Sequence, residues 1–432
     1  MTPGARLAAA IDVFITIANE RRPAADALKS WGLAHRFAGS GDRAAIAGLV
    51  YDALRRRASS SFIMGSGSPR AILLGMLKRE RGLGSDAIAK LASGERYAPE
   101  ALSDDEHKRL DAPDMAAAPA YVAGDYPEWL EPHFTRAFGD ARAQEGAALS
   151  SRAPLDLRVN TLKADREQAA GLLSGLKPEP TPWSPWGLRI HLSADAKSPA
   201  IHAEPAFLKG MVELQDEGSQ LAALFSGAKP GEQVVDLCAG AGGKTLALAA
   251  MMQNKGQIFA TDDDKRRLAP IHDRLKRSGA RNVQVRTPKS VGGELADLAG
   301  RCDLVLIDAP CTGSGAWRRN PDAKWRMRPG ALEQRQKEQA EILDRAVPLL
   351  KAGGRIAYIT CSVLDEENGA QVRAFLTRHP QYWALPSAEV AKALGENALS
   401  FVKAARLSAE AILLTPRTTG TDGFFVSVLR RG

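Results

Sequence analysis

The chain is sparing with cysteine. Its four cysteines, Cys238, Cys302, Cys311 and Cys361, include no C-x-x-C pair. Four in 432 residues do not make a disulfide-stapled secreted scaffold, and none is spaced like a zinc-ligand set, so no metal is expected. Long apolar runs are missing too. None reaches the roughly 18 residues that a membrane span needs. The opening "MTPGARLAAAIDVFITIANERR" has an apolar stretch, but Asp12 interrupts it and no small-residue cleavage site follows. It reads as a helix, not a secretory leader. A cytoplasmic protein that avoids membranes is expected. Internal repeats and low-complexity tracts are absent from the sequence.

What is present is ordinary in amount and uneven in arrangement. Apolar residues make up 44% and charged residues 25%, as in a soluble globular chain with a normal core. The net charge of +8 and pI of about 9.3 suit a polyanionic partner such as nucleic acid, and equally a basic protein with no special partner. Residues 1–110 carry apolar residues at three-to-four spacing, which predicts helices, with starts at Gly41-Asp42 and Pro69. "DAPDMAAAPAYVAGD" (111–125) reads as a linker, and 126–150 again as helical. "LDLRVNT" and "GLRIHL" alternate like strands around the helix-like "DREQAAGLLSGL", which suggests a small α+β unit. From 215 onward, strand, turn and helix repeat, which implies a parallel sheet covered on both faces. The expected domains are therefore 1–125, 126–214 and 215–432.

Two features of the last domain carry chemistry. "VVDLCAGAGGKT" (234–245) is a strand, a Gly-rich turn and a helix start. Such a turn lets the backbone approach a ligand and offers helix N–H groups to an anion, though a plain tight turn looks the same. Asp262 follows 18 residues past Lys244, at the end of the next strand. A carboxylate there can accept hydrogen bonds from two ribose hydroxyls, or cap the next helix as Asp263 and Asp264 also could. The second feature is a pair of cysteines. "DLVLIDAPC" and "RIAYITC" place Cys311 and Cys361 at the carboxyl ends of two strands, where open parallel sheets bind ligands. On neighbouring strands, roughly 5 Å apart, the two thiols could face one substrate atom. Cys238 and Cys302 read as small buried hydrophobes.

"DAPCTGSG…RRNPDAKWR", "TCS" and "DLCAGAGGKT" together resemble the signature motifs of the RsmB/Nop/Sun family of RNA cytosine-5 methyltransferases, which use S-adenosylmethionine. The resemblance covers most of the chain. "RLAAAIDVF…DRAAIAGLVYDALRR" is similar to the NusB-like helical domain of the RsmB branch, and "YPEWL", "LRVNT" and "GMVELQDEGSQLAA" to its small RNA-recognition-like domain and the junction after it. The implied fold class is α/β: a Rossmann-type methyltransferase domain at the C-terminus, preceded by an all-helical domain and a small α+β domain. The resemblance also implies roles. Cys361 would attack carbon 6 of cytosine, Cys311 would assist elimination, Asp308 would contact the flipped base and the cofactor, and Lys324 would lie near the same pocket. Cys238, Ala239, Gly240, Ala241, Gly242, Gly243 and Lys244 would wrap the methionine part of the cofactor, and Asp262 its ribose. The family usually has a further acidic residue after the third strand. Here "VQVRTPKSVGG" offers only Thr287, and Gly240-Ala241 stands where the family often has Ala-Pro.

"WRRNPDAKWRMR" (317–328) sets five basic residues against one acidic residue, with two tryptophans among them. Guanidinium groups pair with phosphates and indoles stack on bases, so Arg318, Arg319 and Trp325 are candidate RNA contacts, as are Arg158 and Asn160. "RRR" at 55–57 is either a phosphate contact or a solvated face. "TTGTDGFF" (418–425) is expected as a polar loop near the substrate pocket. The implied activity is methylation of cytosine carbon 5 in RNA, with small-subunit ribosomal RNA as the expected substrate and a monomer as the expected state. Alternatives are another RNA such as tRNA, a DNA cytosine-5 methyltransferase, and a non-catalytic RNA-binding assembly factor. DNA methyltransferases also carry a Pro-Cys after the fourth strand, and there that cysteine attacks; Thr360-Cys361 favours the RNA family.

Overall fold

A computed structural model describes residues 1–192, 199–288 and 293–432. It separates into two compact units: Met1–Arg152 together with Trp317–Met327, and the remaining described residues.

The first unit is helical. Pro3–Glu20 buries Leu7, Ala10, Val13, Phe14 and Ile17, the stripe that the three-to-four spacing predicts. Thr2 caps it by accepting a hydrogen bond from Ala5 N at 3.2 Å. Pro69 opens the helix Pro69–Arg79 behind Ser68, whose Oγ accepts from Ala71 N at 3.2 Å. The helix expected to start at Gly41-Asp42 runs from Ser40 to Arg55.

Residues 111–125 are not a free linker. Ala120–Ala123 is helical, and buried Asp125 accepts from Ser59 N and Ser59 Oγ, both at 2.9 Å. The helices Glu131–Phe138 and Arg142–Leu149 also pack in this unit, which runs to Arg152.

The second unit holds two sheets. The smaller is antiparallel, in the order β2 (Glu179–Pro180), β3 (Gly187–Ile190), β1 (Leu155–Val159), β4 (Val212–Leu214). The larger is built on five parallel strands. These are β5 (Gln233–Asp236), β6 (Gln257–Ala260), β7 (Val283–Val285), β8 (Cys302–Asp308) and β9 (Leu350–Thr360). Their order is β7-β6-β5-β8-β9, so it reverses at β5. An antiparallel edge adds β10 (Tyr382–Ala384), β11 (Arg406–Leu407), β12 (Ile412–Leu414) and β13 (Phe424–Arg431), with β13 against β9. Val234, Val235, Leu304, Leu306, Ile356 and Ile359 are buried, as the apolar runs of parallel strands require. The reversal between β5 and β8 is a topological switch point. In open α/β sheets, ligands bind at the carboxyl ends of the strands there.

Candidate active site

The site stands at that switch point. The turn after β5 leads into the helix Gly243–Met251. Gly242 has φ +83°, and a Cβ there would sit 2.5 Å from Ile271 Cγ1, so both backbone and packing demand glycine. Gly240 N donates to Asp262 Oδ2 and Asp264 N to Asp262 Oδ1, each at 2.9 Å. Asp264 itself caps the next helix by accepting from Arg266 N, so the cap role weighed for Asp262 falls to its neighbour. Each oxygen of Asp262 keeps a second acceptor lone pair.

Cys238, Asp262, Asp263, Pro310 and Ile342 border a cavity of about 380 Å³, partly closed by the pairing of Arg345 with Asp263. Thr287 is exposed and does not border it. Residues 289–292, the "KSVG" beyond it, lie outside the described residues.

Asp308 ends β8, and its Oδ2 accepts from Lys244 Nζ at 2.6 Å. Lys244 is almost fully buried and also lies 5.2 Å from the Phe424 ring centre. Burial pushes the Asp236 carboxyl up to about 7, with the charge of Asp308 adding to the rise and Thr245 and Lys244 opposing it. Burial likewise holds the Cys238 thiol well above its ordinary range, helped by the acidic groups around it. Cys302 is fully buried inside β8 and pushed up to about 11, mainly by burial. Both fit inert packing rather than chemistry.

Cys311 and Cys361 stand past the ends of adjacent strands, with Asp308 beside Ile359 in the register of β8 and β9. Their sulfurs are 3.3 Å apart, within hydrogen-bond reach and far beyond the roughly 2.05 Å of a disulfide. Both are free and half-buried. The Cys311 thiol is held well above its ordinary range, first by the hydrogen bond to Cys361, then by burial and by the charges of Cys361 and Glu367. Either sulfur can donate in this pair.

The loops around the pair are fastened by backbone. Gly315 N donates to Cys361 O at 2.9 Å, and Gly423 N to Gly315 O at 2.8 Å. A Cβ on Gly315 would overlap the carbonyl of Gly423, which explains the glycine in "CTGSG". Ser314 Oγ lies 2.9 Å from Ser362 Oγ and accepts from Val363 N. The stretch 418–425 thus meets the cysteine loops through Gly423. It is also largely buried, with Thr419, Thr421 and Asp422 each at most 3% exposed.

Residues 224–430 match the family described as 16S rRNA methyltransferase RsmB/F, and residues 126–197 match the ferredoxin-like domain of RsmF/B-like methyltransferases. The chain thus carries an RsmB/F methyltransferase domain behind a ferredoxin-like RsmF/B domain. A ribosomal RNA small subunit methyltransferase B from Salmonella arizonae is 37% identical over 257 residues, 59% of this chain and 58% of that one. The match thus spans less than two thirds of that relative. The crystal structure of a methyltransferase homologue from Pyrococcus horikoshii is similar with a TM-score of 0.59 and 27% identity, over 72% of this chain and 98% of that one. The crystal structure of PH0851 is similar over 100% of this chain and 99% of that one, with a TM-score of 0.70 and 25% identity.

Several residues expected to touch substrate hold protein groups in the structure. Lys324 is completely buried in the helical unit, where Nζ donates to Asp125 O (2.6 Å), Ser150 Oγ (2.7 Å) and Arg55 O (3.0 Å). Burial pulls its ammonium down to about 7. With all three donors committed inside the protein, Lys324 is not available to a pocket. Trp325 Nε1 donates to Leu54 O at 2.7 Å, and its ring packs on the helical core beneath Arg57. Trp317 is 1% exposed and stacks on Phe134.

Arg55 Nη1 donates to the carbonyls of Arg318 and Ser151, and Arg56 pairs with Glu80, so two of the three arginines of "RRR" are held by protein groups. The 317–327 segment thus covers the C-terminal carbonyls of the helix Ser40–Arg55, which have no partner within the helix. Arg318 is buried at 4% exposure and Arg319 half-buried.

Arg158 and Asn160 are also interior. Arg158 Nη1 donates to Gln215 Oε1 and Gly243 O, and Asn160 Nδ2 to Gly210 O and Ser278 O, all at 2.7–2.8 Å. They tie the small sheet to the methyltransferase layer. Sequence reasoning missed Glu367, which is fully buried and holds Thr312 and Gln339. Nothing in "LDEENG" separates it from its exposed-looking neighbours. Among the described residues there is no group of His, Cys, Asp and Glu that could hold a metal, and no helix long and apolar enough to cross a membrane.

Proposed function

We propose that this chain transfers a methyl group from S-adenosylmethionine to carbon 5 of a cytosine in small-subunit ribosomal RNA, through a covalent adduct with Cys361. The observation that carries the reading is the pair of thiols 3.3 Å apart at the ends of β8 and β9, beside Asp308. The relatives named as ribosomal RNA small subunit methyltransferases support the substrate class.

The residues present suit the cofactor. The cavity of about 380 Å³ is in the range of small-molecule sites, roughly 300–1,000 Å³. Asp262 has acceptor capacity for the ribose hydroxyls, and the N-terminus of the helix Gly243–Met251 offers N–H groups to the methionine carboxylate. When bound, S-adenosylmethionine supplies an electrophilic methyl group.

Cys361 would add through Sγ to carbon 6 of the cytosine, which makes carbon 5 electron-rich enough to be methylated. The carbon 5 proton then passes to solvent, and departure of Cys361 as thiolate restores the aromatic base. Asp308, anchored through Oδ2 by Lys244, would orient the flipped base. Cys311 would assist the elimination. The rival assignment, with Cys311 as attacker on DNA, is less well served, because the hydrogen bond to Cys361, burial and the charge of Glu367 push the Cys311 thiol up while the thiolate is the nucleophile.

The test is transfer of labelled methyl from S-adenosylmethionine to protein-free small-subunit rRNA, tRNA and DNA, with the product nucleoside identified by mass spectrometry. The reading predicts 5-methylcytidine in the rRNA. Label in tRNA alone would move the substrate to another RNA, and label in DNA alone would favour the DNA reading. No label on any of them would favour a binding factor.

A further inference from the structure

Glu367 sits in the short turn Asp365–Glu367, six residues past Cys361, and is fully buried. Its Oε1 accepts from Thr312 N (2.8 Å) and Gln339 Nε2 (3.1 Å), and its Oε2 from Thr312 Oγ1 (2.5 Å). Gln339 Nε2 also donates to Pro310 O at 2.9 Å, so the residues on both sides of Cys311 are tied to one carboxylate. No basic side chain among the described residues pairs with it. All three of its donors are neutral, so none of them cancels a charge on it.

The other groups around Cys311 do not cancel that charge. Cys361 is a neutral or anionic thiol at 3.3 Å, and the hydroxyl of Tyr358 is spent on the backbone oxygen of Glu367. Asp308 is paired with Lys244. The Gly313 N–H pulls weakly the other way.

We propose that Glu367 is a positioning residue that divides the work between the two cysteines: its uncompensated charge keeps the proton on Cys311, which donates its hydrogen bond to a Cys361 thiolate. The inference rests on the assignment of Cys361 as attacker. The direction of the Cys311 shift, well above its ordinary range, agrees with it. A Glu367 that merely held the loop would leave the proton free to sit on either sulfur.

The test uses the full chain without RNA or cofactor, so it can fail while methyl transfer stands, and the reverse. Iodoacetamide alkylation is followed at Cys311 and Cys361 separately by tandem mass spectrometry between pH 6.5 and 10.5. The unmodified protein is expected to react first at Cys361. Glu367→Gln keeps the shape and removes the charge. It should lower the Cys311 midpoint by about one pH unit or more, a tenfold gain in thiolate at a given pH. Glu367→Asp should restore most of the separation. An unchanged Cys311 profile in folded Glu367→Gln would overturn the proposal. So would a Cys311 midpoint at or below that of Cys361 in the unmodified protein, which can be read even if Glu367→Gln does not fold.

Discussion

Lys324→Met separates a structural reading of the family's "NPDAKW" lysine from a catalytic one. In the structure the Lys324 ammonium caps oxygens from three segments: Arg55 O at the end of one helix, Asp125 O in a turn, and the Ser150 hydroxyl after another helix. Methionine keeps most of the volume and loses all three donors. A buried acceptor left without its donor costs about 1–3 kcal/mol. Relief of burying a charge beside Arg55 and Arg56 offsets part of the sum. A net loss of about 3 kcal/mol follows. For a domain of 150–250 residues that lowers Tm by roughly 6–12 °C. The assay pairs thermal unfolding with methyl transfer, normalised to folded protein at a temperature well below the transition. The structure predicts a clear fall in Tm and kcat within about threefold of the unmodified protein. An unchanged Tm with a hundredfold loss of kcat would refute the reasoning and return Lys324 to the reaction.

Three further outcomes follow from the same geometry. Asn160→Ala leaves Gly210 O and Ser278 O without their donor, so urea unfolding should show a loss of about 1–3 kcal/mol while RNA affinity of the folded protein is unchanged. Gly315→Ala drives a methyl group into the Gly423 carbonyl and displaces the Cys361 loop; transfer should fall at least tenfold, with a stability loss of about 1–3 kcal/mol by calorimetry. The Asp236 carboxyl titrates near 7 in the folded state and near 4 when unfolded. The folded state therefore binds the extra proton between those values, and this contribution to stability is full below about pH 4 and lost as pH rises through 7. Asp236→Asn should gain stability relative to the unmodified protein between pH 5 and pH 8, by up to about 3 kcal/mol; parallel pH curves would contradict it.

The parallel sheet was legible because its strands are short, apolar and followed by amphipathic helices, a pattern that only two-sided burial produces. The cysteine pair was legible for a related reason. Once β8 and β9 are strands, "DAPC" and "ITC" must end at one edge, and adjacency does the rest. The basic, aromatic loop 317–328 was misread because Lys, Arg and Trp look the same in sequence whether they meet phosphates or helix-end carbonyls. The partners of Lys324 lie 174, 199 and 269 residues away along the chain. Arg158 and Asn160 were misread likewise, since the carbonyls they hold belong to segments that only the fold brings near. Glu367 left no signal, because an acidic residue in a run of acidic residues reads as solvated.

The most direct test of the account compares the unmodified protein, Cys361→Ala and Cys311→Ala, each with RNA and methyl-labelled S-adenosylmethionine. Label in RNA and covalent protein–RNA adducts on denaturing gels are followed together. The account predicts neither transfer nor adduct with Cys361→Ala, and an adduct that persists with Cys311→Ala. Methylation surviving in Cys361→Ala, beside a Cys311→Ala protein that is inactive and forms no adduct, would contradict it and reverse the two roles.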